Sequence, residues 1–260
     1  MINFFGKLIK LPWLFCQPLT KKPKNNGDPV SELFIWRNSS EWVTYFELFD
    51  LASLFEENEE NRNVILIFFK QDGEEFKREK IKIDPNTRNT INISEYVSSL
   101  DDQIGTFCVF HETPKAVKNI GSFIADRGYV SYEYKKSPLR FYVHGNLDAV
   151  SYSTDHKLFM LGGHSFLKRK YFIQYELSNF NFELAFVNPT NSNKHLVLKQ
   201  FKNLLTKPLA KQAKRLKPRE VCIFFVKGID GQIASMTSNL VMARPIVFRF
   251  SEDSVDVFHG

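Results

Sequence analysis

Two groups of side chains in this 260-residue sequence are of types that do chemistry. The first is a set of imidazoles and carboxylates: His144, Asp148, Asp155, His156 and His164. Ring nitrogens and carboxylate oxygens together ligate zinc and related metals, and either can move a proton. His111 and Glu112 form an adjacent acid–base pair, and with His144 and His156 they make the set on which a catalytic reading stands. The spacings match no ligand pattern such as H-x-x-x-H. His144-Gly145 also recurs as His259-Gly260. A position that recurs points to the fold, here a strand-end imidazole bonded to backbone.

The second group is basic. Residues 199–219 carry Lys199, Lys202, Lys207, Lys211, Lys214, Arg215, Lys217 and Arg219, with no acid before Glu220. Leu204, Leu205, Leu209 and Leu216 are interspersed at loose helical spacing, and Pro208 breaks any single long helix. Such a segment suits an anionic partner: an acidic glycan, a membrane surface or an acidic protein. Its one aromatic residue, Phe201, leaves little for base stacking, which argues against nucleic acid. The formal charge of +6 agrees with an anionic partner without requiring one. The plain alternative is a solvated connector.

These groups need elements to hold them. The chain has 26 phenylalanines, which suit strands and pack as rings in β cores. Strand-like runs at residues 43–48, 64–69, 107–110, 129–134, 182–187 and 246–250 are separated by turn formers such as Asp72-Gly73 and Asn188-Pro189. Several runs match at long range: residues 105–110 with 219–224, placing Cys108 beside Cys222 in the alignment, then 129–134 with 246–250, and 141–145 with 256–260. On the same reading 171–177 answers 43–48 and 182–187 answers 64–69. The expectation is a mainly all-β chain of two tandem antiparallel β-sandwich repeats, immunoglobulin-like in architecture, with short helical segments. The immunoglobulin signature itself is absent. The units would be an amphipathic segment and linker at 1–30, a repeat at 31–145, a linker at 146–169 and a repeat at 170–260. Ser94 is placed to cap a short helix, and Gly162-Gly163-His164-Ser165 to serve as a hinge.

The remaining features bound the function. No phosphate loop, nucleophile elbow, dinucleotide fingerprint or Cys-x-x-Cys is present, so no cofactor is implied. Three cysteines, Cys16, Cys108 and Cys222, are too few and too far apart for a disulfide scaffold and suit a reducing compartment. No run reaches the roughly 20 apolar residues that span a bilayer. Phe4, Phe5, Leu8 and Ile9 lie at rough helical spacing and can rest on a membrane or on the protein itself. The sequence therefore reads as a non-catalytic binding protein of the cytoplasm or a membrane surface. The alternative is a metal-dependent or acid–base enzyme with its site where the repeats join.

Overall fold

The structure, a computed structural model, describes residues 21–50, 53, 62–100, 103–122, 125–126, 128–137, 139–173, 180–203, 205–228, 232–241, 244–252 and 254–260. Phe4, Phe5, Leu8, Ile9, Cys16 and Leu204 lie outside the described residues. Along the chain come β1 (Val30–Asn38), β2 (Trp42–Phe49), β3 (Arg62–Phe69), β4 (Glu75–Ile83), β5 (Arg88–Asn92), β6 (Gln103–His111), β7 (Ala125–Asp126), β8 (Tyr129–Tyr134), β9 (Arg140–Val143), β10 (Asn146–Tyr152) and β11 (Leu158–Met160). There follow β12 (His164–Phe172), β13 (Asn181–Val187), β14 (Lys194–Phe201), β15 (Ala210–Leu216), β16 (Val221–Lys227), β17 (Ile233–Leu240), β18 (Ile246–Phe250) and β19 (Val255–His259). Among the described residues α-helix is confined to single turns at Ile93–Tyr96 and Lys115–Asn119.

The strands form four sheets, almost wholly antiparallel. Sheet I runs β11-β10-β1-β6-β3-β4, with β7 beside β1; sheet II runs β5-β2-β8-β9; sheet III runs β16-β13-β18-β19; sheet IV runs β12-β17-β14-β15. Their arrangement is propeller-like. β3 and β6 are inner strands of sheet I and read as apolar runs, whereas the edge strand β4 alternates lysine and glutamate with Phe76, Ile81 and Ile83. A charged edge discourages pairing with other chains.

The first core is a lattice of rings. Phe34 meets Phe46 at 4.6 Å and Phe107 at 5.2 Å between centroids, and Phe68 meets Phe107 at 5.9 Å. Trp36 donates its indole N–H to the Phe69 carbonyl at 3.1 Å, and Tyr132 its hydroxyl to the Ile35 carbonyl at 2.7 Å. Gly105 makes room for this, because a Cβ there would stand 2.2 Å from the Phe69 oxygen and 2.4 Å from the Trp36 ring.

Sheet III is largely covered on both faces, with Phe225 exposed at its β16 edge. Phe182, Leu184 and Phe186 enter a second core with Leu196, Leu198 and Met236 of sheet IV. The opposite face, Ala185, Val187, Phe248 and Val257, enters the first core, where Phe248 meets Trp42 at 5.4 Å and Tyr132 at 5.2 Å. One sheet thus welds the two cores, and two separately cored sandwiches do not describe the molecule.

Other expectations change with the sheets. Cys108 lies in inner strand β6 and Cys222 in edge strand β16, so the two do not hold matching places, although each is buried in a different core as a free thiol. Residues 171–172 belong to edge strand β12, whereas 43–48 belong to inner strand β2. Residues 146–169 are not a bare linker: they form β10, β11 and the start of β12, and β10 bonds to β1. Gly162 is no free hinge either. Its N–H donates to the Pro189 carbonyl at 2.9 Å, and a Cβ would come within 2.3 Å of that oxygen. At the Ile93–Tyr96 turn the cap position is Asn92, without a side-chain cap, while the Ser94 hydroxyl accepts the Thr44 N–H at 3.0 Å.

Candidate functional site

The basic segment is not helical. Lys199 belongs to β14, Lys211, Lys214 and Arg215 to β15 at the open edge of sheet IV, and Lys202 and Lys207 to the hairpin between them. Residues directly opposite one another in antiparallel strands point to the same face, so register sorts the cations. Lys199 stands opposite Lys211, and His195 opposite Arg215. Ser235 pairs with both Lys199 and Phe172, and Thr237 with both Val197 and Lys170. One outer face therefore carries Lys170, Phe172, His195, Lys199, Lys211 and Arg215. These rows hold no carboxylate. Lysines placed directly opposite each other repel, so the fold gains nothing from the Lys199–Lys211 pairing.

The other cations of the segment have different duties. Lys214 turns the other way: its ammonium donates to the Ile223 carbonyl at 2.6 Å and lies 5.5 Å from the Phe224 ring, tying β15 to β16. Arg219, at φ +66°, lays its guanidinium 4.9 Å from the Phe69 ring, and its carbonyl accepts the Thr106 hydroxyl at 3.1 Å. Lys217 is exposed at the turn between them. Lys202 and Lys207 are exposed in the hairpin.

That hairpin is built to hold leucine in water. The Asn203 side-chain oxygen accepts the Leu205 N–H at 2.9 Å, the Asn203 carbonyl accepts the Thr206 hydroxyl at 2.8 Å, and Leu209 N–H closes on the Gln200 carbonyl at 2.8 Å. Leu205 is left 97% exposed and Leu209 59% exposed, among Lys202, Lys207 and Lys211. Neither leucine is spent on a core.

Comparison with protein families and with curated proteins finds no match. The reading rests on geometry alone.

The imidazoles and carboxylates divide among three places. His111, Glu112 and His156 line one cavity of about 280 Å³, together with Asp28, Lys80, Thr113, Lys118 and Tyr152. His156 bonds through Nδ1 to the Tyr152 hydroxyl at 2.8 Å. Burial, with the Arg62 charge adding to it, pulls His111 down to about 4, so near neutral pH it stays unprotonated. Asp155 is engaged by the Ser153 hydroxyl and by Lys157 at 3.3 Å and Lys24 at 3.8 Å; these partners, the Ser153 bond foremost, hold its carboxyl at about 2.

His144 sits elsewhere, its ring 4.1 Å from that of His259. His144 Nδ1 contacts the Gly145 carbonyl at 2.9 Å, and His259 Nε2 the His144 carbonyl at 2.9 Å, so both imidazoles bond to backbone. His164 opens β12, where burial and then the charges of Lys194 and Lys21 push its pKa down. Such surroundings repel a cation. Asp148 lies in β10. Among the described residues no three His, Cys, Asp or Glu side chains converge as a metal would require.

Lys170 and Phe172 were beyond sequence reasoning because they reach the basic face from β12, and His195 because it precedes the charge run on β14. Cations at 211, 214 and 215 follow no period of two, so the segment itself carried no sign of a strand.

Proposed function

We propose that this chain is a non-catalytic binding protein that docks the outer face of sheet IV, and the hairpin at its end, on an anionic membrane surface. The carrying observation is the pair Leu205 and Leu209, held out in water by a braced turn and ringed by lysines. An acidic glycan or acidic protein would be served by the lysines alone and gives the leucines no role. A bilayer uses both: headgroup charge attracts cations, at about 1 kcal/mol each, and the interface accepts apolar side chains. Among the described residues no helix is long and apolar enough to cross a membrane, so contact would be at the surface.

A duplicated unit underlies this reading. In support, β5-β2-β8-β9 and β16-β13-β18-β19 have the same order when each half is counted from its own start, β1 matching β12, and the two-residue β7 is left out. So do β1-β6-β3-β4 and β12-β17-β14-β15. The match sets β6 against β17 and β5 against β16, not Cys108 against Cys222. The counterpart edge strand β4 also presents cations, Arg78, Lys80 and Lys82, but opposite Ile67, Ile65 and Asn63, whereas in sheet IV Lys199 faces Lys211 and His195 faces Arg215.

Co-sedimentation with vesicles tests the proposal. Wild type should pellet with phosphatidylcholine vesicles containing about 30% phosphatidylserine and stay in solution with phosphatidylcholine alone. Reversing Lys199, Lys211 and Arg215 to Glu should weaken binding by at least about 100-fold, from about 1 kcal/mol per cation. Retention on heparin that survives Leu205→Ser and Leu209→Ser, without vesicle binding in wild type, would favour a glycan instead.

A further inference from the structure

The outer face of sheet II has no role in the membrane reading. Register places its side chains in rows. Asn92, Tyr45, Ser131 and Tyr142 form one; Thr90, Glu47 and Tyr129 the next; Arg88 and Phe49 the third; Val43, Glu133 and Arg140 lie on the other side. Tyr129, Tyr142 and Phe49 are exposed to 56%, 46% and 36%. They border a shallow depression of about 620 Å³ floored by Glu47.

Glu47 and Ser131 are buried on this face, between the exposed Tyr129, Tyr142 and Phe49. Glu47 pairs with the Arg88 guanidinium and lies 3.8 Å from that of Arg140, which also pairs with Glu133 at 3.1 Å. The two guanidiniums in turn lie against tyrosine rings: Arg88 5.6 Å from Tyr142, and Arg140 4.0 Å from Tyr45. Two carboxylates and two guanidiniums leave the face without net charge. Within its central row Ser131 Oγ and Asn92 Oδ1 find no hydrogen-bond partner among the described residues.

The matching face of sheet III shows that this chemistry is not needed to build the sheet. Under the strand correspondence above, Glu47 becomes Ala185, Phe49 becomes Val187, Ser131 becomes Phe248 and Tyr142 becomes Val257, and that face is covered by the first core. A protein partner packed in the same manner would meet arginine and glutamate where sheet III offers Val and Ala. We propose that the outer face of sheet II binds a neutral saccharide. Pyranose rings offer flat C–H faces that stack on tyrosine, and vicinal hydroxyls that bond at once to a carboxylate and a guanidinium. Charge selects neutrality, because an anionic sugar would have to break the Glu47 and Glu133 pairs to gain an arginine.

The test titrates the full chain with hexaoses of glucose, mannose and N-acetylglucosamine, followed by calorimetry and by saturation-transfer NMR. At least one should bind saturably. Tyr129→Ala and Tyr142→Ala, both at exposed positions that leave the fold intact, should each weaken it about tenfold, while Tyr142→Phe, which keeps the ring, should retain it. Lys211→Glu should leave saccharide binding unchanged, separating this site from the membrane face. Absence of saturable binding to every hexaose overturns the proposal. So does binding that Tyr129→Ala and Tyr142→Ala leave intact, or a wild-type dimer that the same variants dissolve, which would give the face to a second copy of the chain.

Discussion

Sheets II and III have the same strand order, yet one shows to water part of a face that the other hides. On sheet III the exposed-equivalent positions are Ala185, Val187, Phe248 and Val257, and they complete the first core. On sheet II the same positions hold Glu47, Phe49, Ser131 and Tyr142, of which Phe49 and Tyr142 are exposed while Glu47 and Ser131 are buried. Backbone pairing does not choose between these outcomes. Side chains at alternate positions do, because period two lets one face change while the other keeps its core contacts. A face that departs from the apolar solution is free to serve something other than folding.

The difference can be broken most severely from the sheet III side. Phe248→Ala should destabilise the protein by about 3–5 kcal/mol, because removing a fully buried ring packed on Trp42 and Tyr132 leaves a cavity between sheets II and III. Tyr142→Ala, in the matching row of sheet II, should cost about 0.5 kcal/mol or less. Urea unfolding of the two variants measures the contrast, and equal losses would mean that sheet II's face is also a packing surface.

Glu47 lies between these extremes. Glu47→Ala should cost about 1–2 kcal/mol, less than a fully buried pair, since Arg88 is largely solvated. Glu47→Gln, which keeps the shape, should recover part of it. A double-mutant cycle with Arg88→Leu separates pairing from packing.

A pH dependence should also appear, from His259 beside His144 and from His111 in the cavity it lines. His259 is held down to about 4, chiefly by burial, and His111 to about 4 likewise. An unfolded imidazole takes its proton near about 6.5. The unfolded chain therefore binds more protons between these values, so this stability is fully present above about 6.5 and is lost as pH falls toward 4. His259→Gln should flatten the urea midpoint over that range, and a midpoint unchanged between pH 7 and 4.5 in wild type would show that neither imidazole is held neutral.

Much of the fold could be read from the residues. Runs such as Val64 to Phe69 and Phe182 to Val187 are strands because branched and aromatic side chains suit a doubly covered sheet, and the terminal match of Tyr142-Val143-His144-Gly145 with Val257-Phe258-His259-Gly260 falls on equivalent edge strands. The interior alignment was misled by the cysteines. A lone thiol packs in any apolar strand, so Cys108 and Cys222 mark burial and carry no positional information. The basic segment was seen as a charge run but not as a face, because neither its cations nor its leucines keep a period of two. The sheet II surface was invisible for another reason: Glu47, Arg88, Tyr129 and Arg140 come from four strands and meet only through register.

The central claim is that sheet IV docks on anionic lipid through both charge and leucine. The most direct measurement is vesicle co-sedimentation of wild type and of the Leu205→Ser, Leu209→Ser double variant, at about 0.1 M and about 0.5 M salt. Wild type should bind phosphatidylserine-containing vesicles at the lower salt and lose most of that binding at the higher, and the double variant should bind at least about tenfold more weakly even at low salt. Equal binding by the two proteins, or none by wild type, would contradict the account.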